Sequence, residues 1–104
     1  MKYILVITTT PTKKDAQNIT QVILDKKLAA CIQFLGPISS SYFWQGKIKI
    51  TKEWLCLIKT KQSLYTRLES AIHAKHPYKI PEVLALPIIK GSDKYLSWLN
   101  GELK

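Results

Sequence analysis

His76-Pro77-Tyr78-Lys79-Ile80-Pro81-Glu82-Val83-Leu84-Ala85-Leu86-Pro87-Ile88-Ile89-Lys90-Gly91-Ser92-Asp93-Lys94-Tyr95-Leu96-Ser97-Trp98-Leu99-Asn100 packs several structural instructions into one stretch of chain. Pro77 disfavours helical backbone at His76, so any helix before it stops there. Pro81 keeps the connection extended. Val83 to Ile89 is an almost unbroken apolar run, the pattern of a strand buried on both faces. Pro87 has no amide hydrogen for a ladder bond, which places it on an edge or at a bulge. Gly91 turns the chain, and Ser92 or Asp93 can cap a short closing helix carrying Tyr95, Leu96 and Leu99.

Upstream, Leu64, Leu68, Ala71 and Ile72 recur at helical spacing and form the helix that Pro77 ends. Lys47 to Thr60 reads as a long strand. Ile48, Ile50, Trp54, Cys56 and Ile58 share one of its faces, and Leu55 and Leu57 make the other apolar near the end. A preceding strand runs from about Ala29 to Leu35, is interrupted at Gly36-Pro37 and resumes near Ser40. Tyr3 to Thr8 is the first strand. Thr12-Lys13-Lys14-Asp15 has the spacing of a capping box, with Ala16, Ile19, Val22 and Ile23 on the helix behind it. Lys26 and Lys27 suit that helix's C-terminus. The order strand, helix, strand, strand, helix, strand, helix predicts an α+β fold, a ferredoxin-like βαββαβ sandwich with an additional C-terminal helix, in one domain over residues 1–104.

The long strand carries a further consequence. Fourteen extended residues span roughly 46 Å, whereas a chain of this length has a radius of gyration of about 13 Å. Either a bulge breaks the strand or its hairpin projects beyond the subunit. The first and fourth strands are apolar on both faces, yet two helices cover one face of such a sheet. A homo-oligomer with its sheets facing inward satisfies both observations.

Composition narrows the function. The apolar fraction is 46% in 104 residues, and no apolar run approaches the ~20 residues of a membrane span. Ile4 to Ile7 is too short for a signal sequence core, and no small-residue cleavage site follows it. A cytoplasmic protein without membrane contact is expected. Cys31 and Cys56 lack CxxC spacing and read as free buried thiols. The net charge is +9, but the lysines are scattered along the chain and read as a solvated basic surface. The Lys/Arg-Gly-aromatic pattern of an RRM is absent, and no nucleic-acid partner is expected. Nucleophile elbow, Walker loop, HExxH and paired-carboxylate signatures are also absent, and the chain does not read as an enzyme. His73 and His76, three apart, can share a helical face and are the candidate metal ligands.

The quoted stretch closely resembles the CutA family of divalent-cation-tolerance proteins, whose hallmark is His-Pro-Tyr-x-x-Pro-Glu, then an apolar strand, Gly, and Tyr-Leu-x-Trp. Thr9-Thr10-Pro11, Leu28-Ala29-Ala30-Cys31, Ser40 to Ile48 with Glu53, and Lys59-Thr60 match the family in order and spacing. The resemblance implies a homotrimer of PII-like architecture and a non-enzymatic role in divalent-cation tolerance. Copper ligands in some members are ascribed to a cysteine closing the first strand and to two adjacent histidines before the proline. Those positions are Thr8, Lys75 and His76 here. The resemblance therefore implies at most weak Cu or Zn binding at His76, and no required cofactor. Tyr42, Trp44, Lys59, Tyr78 and Glu82, with His76, are expected to line a ligand cleft. The alternative is a PII-like signalling module that binds a small anionic ligand between subunits, with Lys59 in its cleft.

Overall fold

The computed structural model describes residues 1–104, in the order β1 (Tyr3–Thr10), α1 (Lys13–Asp25), β2 (Cys31–Trp44), β3 (Lys47–Lys61), α2 (Tyr65–Lys75), β4 (Val83–Ile88) and α3 (Asp93–Glu102), with a 3-10 turn at Gln62–Leu64 leading into α2. The four strands form one antiparallel sheet in the order β2-β3-β1-β4. This is the expected βαββαβ sandwich with its additional helix.

Local chemistry explains most element ends. Thr12 caps α1, its hydroxyl accepting from the Asp15 N–H at 3.1 Å. The capping box is not reciprocal, because that hydroxyl also donates to the Asp15 carboxylate at 2.7 Å. Lys26 and Lys27 lie just beyond α1, and Lys27 is in the left-handed region with φ 55°. His76 ends α2 in extended geometry, as Pro77 demands. Ser92 occupies the N-cap of α3 without a side-chain cap bond, so the closing helix rests on packing instead.

Even-numbered residues of β1 and β3 face the two long helices. Ile4, Val6, Cys56 and Ile58 pack there against Ala16, Ile19 and Ile23 of α1 and Leu68, Ala71 and Ile72 of α2. Burial pushes the Cys56 thiol up to about 11. Cys31 has the opposite parity in the paired register and lies on the other side of the sheet, so the two thiols remain free.

Two expectations are corrected. The β2 strand is not interrupted at Gly36-Pro37; it continues through a bulge between Leu35 and Ile38, with a cis peptide at Gly36-Pro37. A Cβ at position 36 would stand 2.7 Å from the Trp54 ring, so the glycine lets β2 wrap that indole. Nor is β4 buried on both faces within one chain. It is an edge strand, which suits Pro87, and Leu84 is 56% exposed.

The helix-free face is partly covered after all. α3 crosses one end of it, where Lys59 donates to the Tyr95 hydroxyl and Lys61 to the Asn100 carbonyl, both at 3.4 Å. Leu99 of that helix is fully buried. Beyond α3 the face stays open and apolar, with Leu57, Ile7 and Leu84 aligned across three strands. The β2–β3 arm closes on a two-residue turn at Gln45-Gly46, both with positive φ, the geometry that matches strand twist in a hairpin. It gives the chain a long axis of 44 Å against 26 and 22 Å. One side of the arm carries Phe43, Ile48 and Ile50, which are 76, 70 and 69% exposed. The long strand β3 thus runs unbroken and its hairpin projects, the bulge lying on β2 instead.

Candidate functional site

The side chains singled out by sequence meet most closely where β1 ends, α2 ends and β3 passes between them. Because Pro77 turns the chain away from helix, the His76 ring swings under the end of β1. Its Nε2 lies 2.6 Å from the Thr9 carbonyl oxygen, and its Nδ1 is 3.0 Å from the Tyr78 amide nitrogen. A carbonyl can only accept and an amide N–H can only donate. The neutral Nε2–H tautomer satisfies both, and each ring nitrogen is then occupied.

Tyr78 follows at a ring-centroid distance of 5.0 Å from His76. Its hydroxyl donates to Oε2 of the buried Glu53 at 2.9 Å. Burial, followed by the Glu53 bond and charge, pushes the Tyr78 phenol up to about 12. Tyr42 and Asp15 lie close enough to add smaller contributions of the same sign. Tyr42 itself accepts from the Thr51 hydroxyl at 3.3 Å. On the helix-facing side of β3, the Trp54 ring has the Lys13 ammonium 5.7 Å from its centroid and Phe34 edge-on at 6.4 Å.

A single chain brings together His76 and Tyr78, with Tyr42 nearby. The other expected cleft residues lie elsewhere. Trp44 stands at the arm's tip, paired with Lys47. Lys59 lies ten residues along β3 from Lys49, the partner of Tyr42, a separation of roughly 33 Å in extended chain. It is engaged by Tyr95, whose ring centroid is 5.5 Å from its ammonium. Glu82 is exposed just before β4. Sequence reading missed the Thr9 carbonyl and the pairing of Glu53 with Tyr78. The carbonyl carries no residue-type signal. The Glu53–Tyr78 pair spans 25 residues and depends on where the loop after Pro77 lands.

The sign of the Tyr78 shift gives a pH prediction. A phenol that ionises near 10 when unfolded and near 12 when folded holds its proton more tightly in the folded state. Its stabilising contribution is complete below pH 10 and is lost as pH rises through 12. Cys56 contributes a loss of the same sign over an overlapping window, from 9 to about 11. Urea unfolding of the parent and Tyr78→Phe from pH 8 to 12 separates the two. The variant should lose stability less steeply above pH 10.

A model of the CutA1 divalent ion tolerance protein family matches residues 4–102, nearly the whole chain. The chain belongs to that family. It is 43% identical over 101 residues to Protein CutA, chloroplastic, of Arabidopsis thaliana, covering 97% of this chain and 56% of that protein. It is 37% identical to the divalent-cation tolerance protein CutA of Thermus thermophilus, covering 92% of this chain and 93% of the relative. The crystal structure of CutA1 from Oryza sativa superposes with a TM-score of 0.97 at 39% identity, covering 100% of this chain and 95% of that one. The chain spans 56 to 63% of the length of its plant and fish relatives. No helix is long and apolar enough to cross a membrane.

The family name raises the question of a cation, and the residues present do not fit a resident one. The lone pair at His76 Nδ1 is taken by Tyr78, and Nε2 carries the proton given to Thr9. Thr8 is fully buried on the helix-facing side of β1, its hydroxyl without a partner. Lys75 supplies an ammonium next in sequence. No three His, Cys, Asp or Glu side chains gather so as to hold a metal ion.

Proposed function

We propose that this chain acts as a non-enzymatic homotrimer in divalent-cation tolerance, in the cytosol, without a tightly held metal. The observation that carries this reading is the pair of uncovered apolar surfaces, one on the sheet beyond α3 and one on the arm at Phe43, Ile48 and Ile50. They are different patches on one chain. A contact that joins unlike patches head to tail builds a ring when its rotation closes, and the family resemblance supplies closure at three. Side-chain chemistry supports a non-enzymatic role. His76 is tied to backbone through both nitrogens, and the Tyr78 and Cys56 groups are pushed away from neutral pH. Two free thiols suit a reducing compartment.

Sedimentation velocity at micromolar concentration should give a species about three times the 11.9 kDa chain mass; a stable monomer would defeat the reading. Calorimetry with Zn(II) and Cu(II) should detect only weak binding, because both ring nitrogens of His76 are already engaged by Thr9 and Tyr78. Stoichiometric, tight binding that His76→Ala abolishes would put a metal site where none is proposed.

A further inference from the structure

We infer that a groove on the helical layer, remote from the sheet face, binds a small phosphorylated molecule. A cavity of about 380 Å3 opens between the end of α1, the outer side of α2 and the C-terminal tail. Its three cations come from three different parts of the chain: Lys26 after α1, Arg67 on α2, and Lys104 on the tail. Thr66 and Ser70, one turn apart on α2, add hydroxyl donors, and no carboxylate side chain lines the groove. The floor is apolar, formed in part by Leu28 and Ala71, both buried.

The groove is held in shape by backbone bonds. Left-handed Lys27 turns the chain after α1, and its carbonyl accepts from the Lys104 N–H at 3.0 Å, which fixes the tail as a wall. The end of a helix ordinarily repels anions through its free carbonyls. Here the Val22, Leu24 and Ile23 carbonyls accept from the N–H groups of Lys26, Lys27 and Leu28, so much of that negative end is already neutralised. Asp25 accepts from Gln21 and Glu69 from Tyr65, contacts that leave both carboxylates charged, but neither lines the groove, so the charges lining it are those of Lys26, Arg67 and Lys104.

The ligand class follows from this donor set. A guanidinium fork with two ammonium groups and two hydroxyls matches phosphoryl oxygens, for which Arg offers paired hydrogen bonds. The apolar floor suits an organic body attached to the phosphate, and the size lies in the range of small-molecule sites. A net charge of +9 draws such an anion toward the whole surface, so the decisive question is whether binding is local.

The full chain, isotopically labelled, is titrated with ADP and with inorganic pyrophosphate while backbone amide shifts are followed. Saturable shifts should centre on Thr66, Arg67, Ser70 and Ala74, with ADP binding at least as tightly as pyrophosphate. Arg67→Gln and Lys26→Gln should each weaken ADP about tenfold, the scale of a charge-assisted hydrogen bond. Lys14→Gln removes the same charge from exposed surface on α1 and should leave ADP affinity unchanged. Equal weakening by Lys14→Gln, shifts spread over the arm lysines, or tighter binding of pyrophosphate than ADP would each overturn the inference in favour of diffuse charge attraction. Absence of saturable binding would overturn it outright.

Discussion

Leu84→Asp is expected to convert the proposed trimer into folded monomers. Leu84 lies on the helix-free side of the edge strand β4, in register with Ile7 on β1, which pairs in turn with Leu57 on β3. In one chain it is more than half exposed, so a carboxylate there remains solvated and the fold has little reason to change. Against another copy the same carboxylate would be stripped of water without a partner, a penalty of several kcal/mol per ion. Three copies would incur it three times. Sedimentation should fall to the single-chain mass, with far-ultraviolet circular dichroism retained. A variant that still sediments as a trimer would show that this face is not the interface. Phe43→Asp on the arm tests the complementary patch in the same way, since its ring is largely exposed within one chain.

The fold was largely legible because its punctuation is local. Pro77, Gly91 and the helical spacing of Leu64, Leu68, Ala71 and Ile72 act within a few residues of themselves. The β2 strand was misread because proline and glycine ordinarily break strands. Whether they break this one depends on Trp54, on the neighbouring strand, whose indole occupies the space a side chain at 36 would need. The apolar run from Val83 to Ile89 was rightly a strand, but its two-sided hydrophobicity describes what it prefers to touch and not what one chain provides. The basic groove was less visible still. Lys26, Arg67 and Lys104 are scattered lysines and an arginine in sequence, and only the turn at Lys27 and the tail bond bring them to one cavity.

The candidate site shows the same division, and His76 is its sharpest test. Sequence marked that imidazole as a ligand; geometry makes it a pin between the end of β1 and the loop after α2, joining residues 67 apart in the chain. His76→Ala removes both bonds and the buried ring. It leaves the Thr9 carbonyl and Tyr78 amide without their partners, each an expected loss of about 1–3 kcal/mol where water cannot enter. A destabilisation of about 3 kcal/mol is therefore expected, read as a lower urea midpoint at fixed protein concentration. The loop should loosen first, so the Tyr78 amide should exchange with solvent faster than amides of the α1–α2 core. His76→Gln separates the pin from a ligand role, because its carboxamide N–H can still reach toward the Thr9 carbonyl while a carboxamide is a poor ligand for Zn(II) or Cu(II). Gln should recover part of the stability that Ala loses, and neither variant should much change the weak binding of Zn(II). If Ala leaves stability and Tyr78 exchange untouched but abolishes metal binding, the imidazole is a ligand after all, and its contacts with Thr9 and Tyr78 are incidental.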